Sequence, residues 1–271
     1  MEFTSETEFA IEAVQDAAGL LAPYLDDERL RSDSARQKAA GEVVTEADKA
    51  INAFLIERLQ HRFPDDAICA EEGSPHDDVN ASRRWIIDPI DGTRSFVKGA
   101  SGYSLMLALA VEGEPAVGVV HDPVNLRTWY AVRGGGVHLI SCKSDEPVQS
   151  AGAEPRLIWS PYADDANGEH LRIELGLRAL DRVESFGLRA IELAQDGAGV
   201  FASRPGSPNV WDTAVAYVIV KEAGGTITGY DGAPLAYWKQ ESPLHPQGAV
   251  ASRGVDHARV LELIRKYLPR R

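Results

Sequence analysis

Two aspartates three residues apart, Asp88 and Asp91, stand in the stretch Trp85-Ile86-Ile87-Asp88-Pro89-Ile90-Asp91-Gly92-Thr93. Carboxylates delivered just past an apolar run and followed by Gly-Thr suit a divalent cation meeting a phosphate. The oxygens take the cation, and the backbone amides of a helix start take the anion. Asp-Pro and Asp-Gly are also ordinary turn signals, so this pair alone decides nothing. Three further acidic places share the setting of a strand end or a helix start: Asp48, Glu71 with Glu72, and Asp212. Acids at helix N-termini are stabilised by the helix dipole, so Asp48 and Asp212 also read as caps, and Glu72 as a solvated neighbour of Glu71. Several carboxylates from separate segments fit Mg²⁺, which takes oxygen ligands and keeps several waters. The seven histidines are scattered, with no H-x-x-x-H pair, which speaks against zinc. Two ions about 3.5–4 Å apart would clamp the attacking and leaving oxygens of an in-line displacement, with Asp88 as their bridge.

Of the elements that hold these acids, residues 85–87 read as a buried strand. Pro89 is expected to end its ladder for want of an N–H, and Gly92-Thr93 to form a turn and helix start. Upstream, Phe9, Ile11, Val14, Ala17, Ala18 and Leu21 carry helical periodicity over about residues 6–25. The polar stretch containing Asp33, Ser34 and Gly41 is expected to be a loop. Thr45 and Asp48 form a capping-box pattern that opens a second helix. Its apolar face is Ile51, Phe54, Leu55 and Leu59, and it stops before Pro64. Residues 67–70 make a short strand running into Glu71. Residues 103–111, 116–120 and 128–132 are expected as strands, 143–155 as a linker, 157–159 as a strand and 168–179 as a helix. Trp211-Asp212-Thr213 starts an apolar helix closed by Gly224-Gly225, and an amphipathic helix over 258–268 ends the chain. Strands and helices mix without a strict βαβ beat, which points to a layered α/β (mixed α+β) fold rather than a Rossmann fold.

The bulk properties agree. At 271 residues the chain can bury a sizeable core as one compact unit, with an N-terminal lobe of about 1–144 and a C-terminal lobe of about 155–271. The net charge of −13 argues against nucleic-acid polymers and anionic membranes as partners. An acidic protein acting on a phosphate needs bound cations. Cys69 and Cys142 lack metal-type spacing and read as two thiols in a reducing cytosol. The acidic N-terminus shows no signal-peptide pattern, and no apolar run is long enough to span a membrane.

Taken together, Val44-Thr45-x-x-Asp48, Glu71-Glu72, Asp88-Pro89-Ile90-Asp91-Gly92-Thr93 and Trp211-Asp212-Thr213-Ala214, with Glu222-Ala223-Gly224-Gly225 after them, resemble the inositol monophosphatase superfamily over about residues 38–250. The resemblance implies a layered αβαβα sandwich and a Mg²⁺-dependent, lithium-sensitive phosphomonoesterase with about two or three ions, for which Mn²⁺ can substitute. It implies Glu71, Asp88, Asp91, Asp212 and the Ile90 carbonyl as metal ligands. Asp48 and Thr93 would position and deprotonate the attacking water, with Glu71 beside them, and the amides of Gly92 and Thr93 would hold the phosphate. Many members dimerise, so a homodimer is a further expectation. A small phosphorylated molecule is the expected substrate.

For substrate choice, residues 203–210 lack the acid that contacts a sugar hydroxyl in inositol-specific members. Ser203-Arg204-Pro205-Gly206-Ser207-Pro208-Asn209-Val210 before Trp211-Asp212-Thr213-Ala214, the run Gly232-Ala233-Pro234-Leu235-Ala236-Tyr237-Trp238-Lys239 with Leu244-His245-Pro246, and Phe186-Gly187-Leu188-Arg189 resemble the 3′(2′),5′-bisphosphate nucleotidase branch. A second phosphate needs its own cation, for which Arg189, Arg204 and Lys239 are the candidates. The chain departs from that branch with Arg94-Ser95 in place of Lys-Glu and with His245 in place of Asn. The competing readings are an inositol-, sugar- or histidinol-phosphate phosphatase on the same site, and a non-catalytic binding protein on the same fold. Asp91→Asn is expected to abolish Mg²⁺-dependent phosphate release while circular dichroism shows the chain still folded. Near-wild-type turnover would remove the core of the assignment.

Overall fold

The computed structural model describes residues 2–37, 43–75, 77–141, 144–149, 152, 155–158, 165–179 and 183–267. Within them the chain passes through α1 (Thr4–Ala18), α2 (Ala22–Leu25), α3 (Glu28–Ser34), β1 (Arg36–Gln37), β2 (Val43–Val44) and α4 (Glu46–Arg62). The larger sheet follows, built from β3 (Ala67–Ala70), β4 (Arg83–Asp91), β5 (Ser104–Val111), β6 (Glu114–Asp122), β7 (Arg127–Val132), β8 (Gly136–Ser141) and β9 (Ser144–Pro147), with the short α5 (Thr93–Val97) between β4 and β5. Its strands lie in sequence order. All neighbours are antiparallel except β3 and β4. Then come β10 (Arg156–Leu157), α6 (Asp165–Glu174), β11 (Arg178–Ala179), α7 (Phe186–Asp196), β12 (Gly199–Ser203), α8 (Val210–Glu222), β13 (Thr226–Thr228), β14 (Ala249–Arg253) and α9 (His257–Tyr267). The second sheet has the order β11-β10-β12-β14-β13.

Side chains of a strand alternate between its two faces, and here that alternation sorts the core into layers. Trp85 and Ile87 of β4 and Leu105, Leu107 and Leu109 of β5 meet Val14, Ala17, Ile51, Leu55 and Leu59 of α1 and α4. Ile86, Met106 and Ala108 point the other way, onto α7 and α8. The second sheet covers those two helices from beyond, through Phe201, Ile227, Ala249 and Ala251. Buried between two sheets, α8 is apolar nearly all round, as such a helix must be. It approaches β6 so closely that a Cβ on Gly118 would lie 3.2 Å from Val215 Cα. On the far side α6 and α9 cover Val200 and Val250 with Leu171, Val260, Leu263 and Ile264. The sequence of layers is the αβαβα sandwich expected.

Three expectations need correction. The stretch with Asp33 and Ser34 is helical, because Asp27 caps α3 by accepting from Leu30 N–H at 2.9 Å; Gly41 lies outside the described residues. The expected linker over 143–155 contains β9, which continues the larger sheet beside β8. The helix expected over 168–179 ends at Glu174, and residues 178–179 form an edge strand parallel to β10. Cys69 is free and buried in the core, whereas Cys142 lies outside the described residues. No described helix is long and apolar enough to cross a membrane.

Candidate active site

β4 delivers the central acids by an irregularity rather than by stopping. Its register with β5 is regular from Arg83 opposite Val111 to Asp88 opposite Met106, and resumes with Asp91 opposite Ser104. Between these pairs β4 spends two residues, Pro89 and Ile90, against Leu105 alone. Residues three apart on a regular strand face opposite sides, and one extra residue turns the second back to the side of the first. The bulge therefore brings Asp88 and Asp91 together, and it tolerates a proline with no N–H to donate. The strand reaches Asp91, which corrects the expectation that Pro89 ends it.

Two helices supply the matching acids by the same device. Asp48 is the third residue of α4, and its Oδ2 accepts from the N–H of Thr45 at 2.7 Å and from the Thr45 hydroxyl. Asp212 is the third residue of α8, and its Oδ2 accepts from the Asn209 N–H at 2.5 Å. Each acid is thus a helix cap, and the cap interaction fixes where the carboxylate points. Asp48 lies fully buried, and its Oδ1 accepts from the Thr93 hydroxyl at 3.3 Å. The same hydroxyl lies 2.9 Å from the Ile90 carbonyl oxygen.

Asp88, Asp91 and Asp212 each present an oxygen within 4.8 Å of the others. Asp88 and Asp91 are buried, and Asp88 Oδ1 has no hydrogen-bond partner among the described residues. Burial pushes the Asp88 carboxyl well above its ordinary range, and the charges of Glu71, Asp91, Asp212 and Asp48 push it further. Burial likewise raises Asp91 to about 7, against the pull of the Ser185 hydroxyl, the Gly187 N–H and the Arg189 guanidinium. Asp48 is raised to about 7 by burial, against its bonds from Thr45. Carboxylates crowded this way need protons or cations between them. An all-oxygen donor set around an orphaned buried oxygen fits a hard divalent cation.

Asp88, Asp91 and Asp212 line a cleft of about 350 Å³ that also takes in Glu71, Ile90, Gly92 and Thr93. Gly92 has φ 93°, and a Cβ there would meet the Gly102 carbonyl oxygen at 2.9 Å, so only glycine fits this turn. Arg189 and Arg204 border the same cleft. Arg189 is buried, stacks 4.2 Å from the Phe186 ring centroid and donates to the Glu184 carbonyl at 2.7 Å. Arg204 is exposed. Lys239 does not border the cleft. Its backbone N–H donates to the Val79 carbonyl at 2.9 Å and its ammonium sits 4.2 Å from the Trp238 ring centroid. His245 is buried and paired with the Thr213 hydroxyl at 2.8 Å.

The profile of the inositol monophosphatase family matches residues 3–268. The chain belongs to that family. Among its sequence relatives, the fructose-1,6-bisphosphatase/inositol-1-monophosphatase of Thermotoga maritima is 32% identical over 237 residues, covering 86% of this chain and 87% of that protein. A histidinol-phosphatase of Chlorobaculum parvum is 35% identical over 241 residues, with 84% and 87% covered. A 3′(2′),5′-bisphosphate nucleotidase of Escherichia coli is 32% identical over 213 residues, with 77% and 85% covered. Among solved structures, an IMPase of Thermotoga maritima matches with a TM-score of 0.81 at 26% identity over 98% of both chains. As a member of the inositol monophosphatase family the protein is a phosphatase acting on phosphate monoesters.

Two residues escaped sequence reasoning, one buried behind the cleft and one in its wall. Ser185 donates to Asp91 Oδ2 at 2.6 Å, beside the Gly187 N–H at 3.0 Å, and so orients that carboxylate. Its signal was present, since Ser185 is the N-cap of α7 and accepts from Leu188 N–H. Glu184 accepts from Ser95, a contact that no local pattern announces.

A carboxyl whose folded pKa exceeds its unfolded value adds stability below the unfolded value and loses that contribution as pH rises through the folded one. For Asp48 and Asp91 that window runs from 3.8 to about 7. Desolvation holds the buried His121 and His245 and the half-buried His257 below their ordinary value, and they act in the opposite sense. The telling quantity is therefore the difference in Tm between Mg²⁺-saturated and chelated protein. It should widen from pH 5 to pH 8, and a constant or narrowing gap would contradict the geometry.

Proposed function

We propose that this phosphatase is a Mg²⁺-dependent 3′(2′),5′-bisphosphate nucleotidase that converts adenosine 3′,5′-bisphosphate to AMP. The observation that carries the reading is the pairing of the acid cluster with Arg189 and Arg204 in one cleft, where a substrate with a second phosphate finds its counter-charge. No acid lies between residues 203 and 210 to repel it.

Glu71, Asp88, Asp91, Asp212 and the Ile90 carbonyl would hold the Mg²⁺. Bound there, the cation neutralises phosphate charge and lowers the pKa of water. The chain's own residues do the rest. The Gly92-Thr93 turn presents backbone amides to the phosphate oxygens. Thr93 and Asp48, 3.3 Å apart, orient the attacking water, and Asp48 takes its proton; a carboxylate held near pKa 7 serves that task at neutral pH. Ser185 keeps Asp91 turned toward the cluster. Water attacks phosphorus in line as the bond to the 3′ oxygen breaks on the opposite side, that oxygen takes up a proton from solvent, and no covalent intermediate on the protein forms, since phosphoryl transfer asks mainly for positioning and charge stabilisation. A cytoplasmic setting suits the free thiol of Cys69.

Phosphate release with Mg²⁺ from adenosine 3′,5′-bisphosphate, inositol 1-phosphate, fructose 1,6-bisphosphate and histidinol phosphate tests the substrate directly. The highest kcat/KM is expected on the bisphosphonucleotide, and Arg204→Ala should raise its KM about tenfold, the loss of one charge-assisted contact. Failure on the bisphosphonucleotide alone would overturn this substrate.

A further inference from the structure

Glu184 stands in the cleft wall between the phosphate turn and Arg189. Its Oε2 accepts from both the backbone N–H of Ser95 at 2.7 Å and the Ser95 hydroxyl at 2.6 Å. The backbone beneath it is fixed as well. Its carbonyl accepts from Arg189 Nη2 at 2.7 Å, the Ser185 N–H donates to the Gly102 carbonyl at 3.1 Å, and the Ser185 hydroxyl donates to Asp91. Two donors on one oxygen lock the carboxylate plane. Among the described residues Oε1 receives no hydrogen bond, and the side chain is part-exposed to the cleft. A locked carboxylate with one oxygen open beside a phosphate site cannot serve as an anion receptor. Its chemistry is that of an acceptor for a hydroxyl.

We infer that Glu184, held by Ser95, is a specificity-determining residue whose Oε1 accepts a hydrogen bond from a substrate hydroxyl on the carbon next to the scissile ester. The placement supports this geometry. Ser95 follows Thr93 by two residues in the first turn of α5, so an acceptor bonded to Ser95 lies next to the turn proposed to hold the phosphate. The choice of serine matters too: residue 95 contributes the donor, and the acid arrives from α7's leading edge instead of from α5. The carboxylate thus supplies the hydroxyl acceptor that residues 203–210 lack. This assignment rests on the nucleotide reading, in which the hydroxyl is the ribose 2′-OH beside a 3′-phosphate.

The test compares adenosine 3′,5′-bisphosphate with its 2′-deoxy analogue in the Mg²⁺-loaded full chain, by kcat/KM and by calorimetric binding of AMP and 2′-deoxy-AMP as products. Wild type should favour the ribo substrate by about tenfold or more, the discrimination given by one hydrogen bond to a charged acceptor. Glu184→Ala should bring that ratio close to one, and Ser95→Ala should reduce it by freeing the carboxylate to swing. Glu184→Gln, which keeps an oxygen for Ser95 but replaces the open acceptor, should lose the ratio while retaining the wild-type Tm. Equal losses on both substrates in Glu184→Ala, or no ribo preference in wild type, would overturn the assignment and leave the nucleotide reading standing. Turnover of neither nucleotide would overturn both.

Discussion

Three carboxylates sharing a space of 4.8 Å, two of them out of water, form an arrangement that like-charge repulsion and lost hydration both oppose. A chain keeps such a cluster only where something else enforces it. Here the enforcement is distributed over separate elements: the β4 bulge sets Asp88 and Asp91 on one side, the α8 cap sets Asp212 across from them, and the Ser185 hydroxyl with the Gly187 amide fixes Asp91. Each device is locally favourable on its own account, so the strain is confined to the carboxylates. A hard cation relieves it, which is how a chain with a net charge of −13 comes to act on phosphate esters.

The sandwich serves the same end. The cluster needs the tip of a central strand and the N-termini of helices to converge, and a helix buried between two sheets brings its first turn to the sheet's end. The leading turns of α7 and α8 and the β4 tip meet where the two sheets' layers adjoin. Arg189 and Arg204 come from α7 and from the loop after β12, so the two arginines bordering the cleft are carried by the C-terminal half and most of the acids by the N-terminal half.

Local chemistry explains what could be read in advance. Thr45 with Asp48 is a capping box whose partners lie three residues apart, and the structure has both of its bonds. The apolar runs of β4, β5 and α8 announce buried elements because their burial leaves little room for polar side chains. Features that depend on distant pairing were not legible. The bulge at Pro89 needs the β5 register to be seen, the Glu184–Ser95 contact spans 89 residues, and the Lys239 backbone N–H pairs with the distant Val79 carbonyl. Asp33 and Ser34 do not announce their helix because polar residues suit loops and short exposed helices equally, and the deciding cap, Asp27, lies upstream of them. Family membership names the chemistry, whereas relatives of similar identity bear different substrate names.

The central claim is that the clustered oxygens of Asp88, Asp91 and Asp212, with Glu71 at their side, exist to hold divalent cations. Anomalous scattering from a crystal soaked in Mn²⁺ tests it most directly. The account predicts a strong peak within about 2.0–2.6 Å of oxygens from Asp88, Asp91 and Asp212, lost in Asp88→Asn crystals under the same soak. A map with no manganese among these carboxylates, in crystals that bind the ion elsewhere, would contradict it.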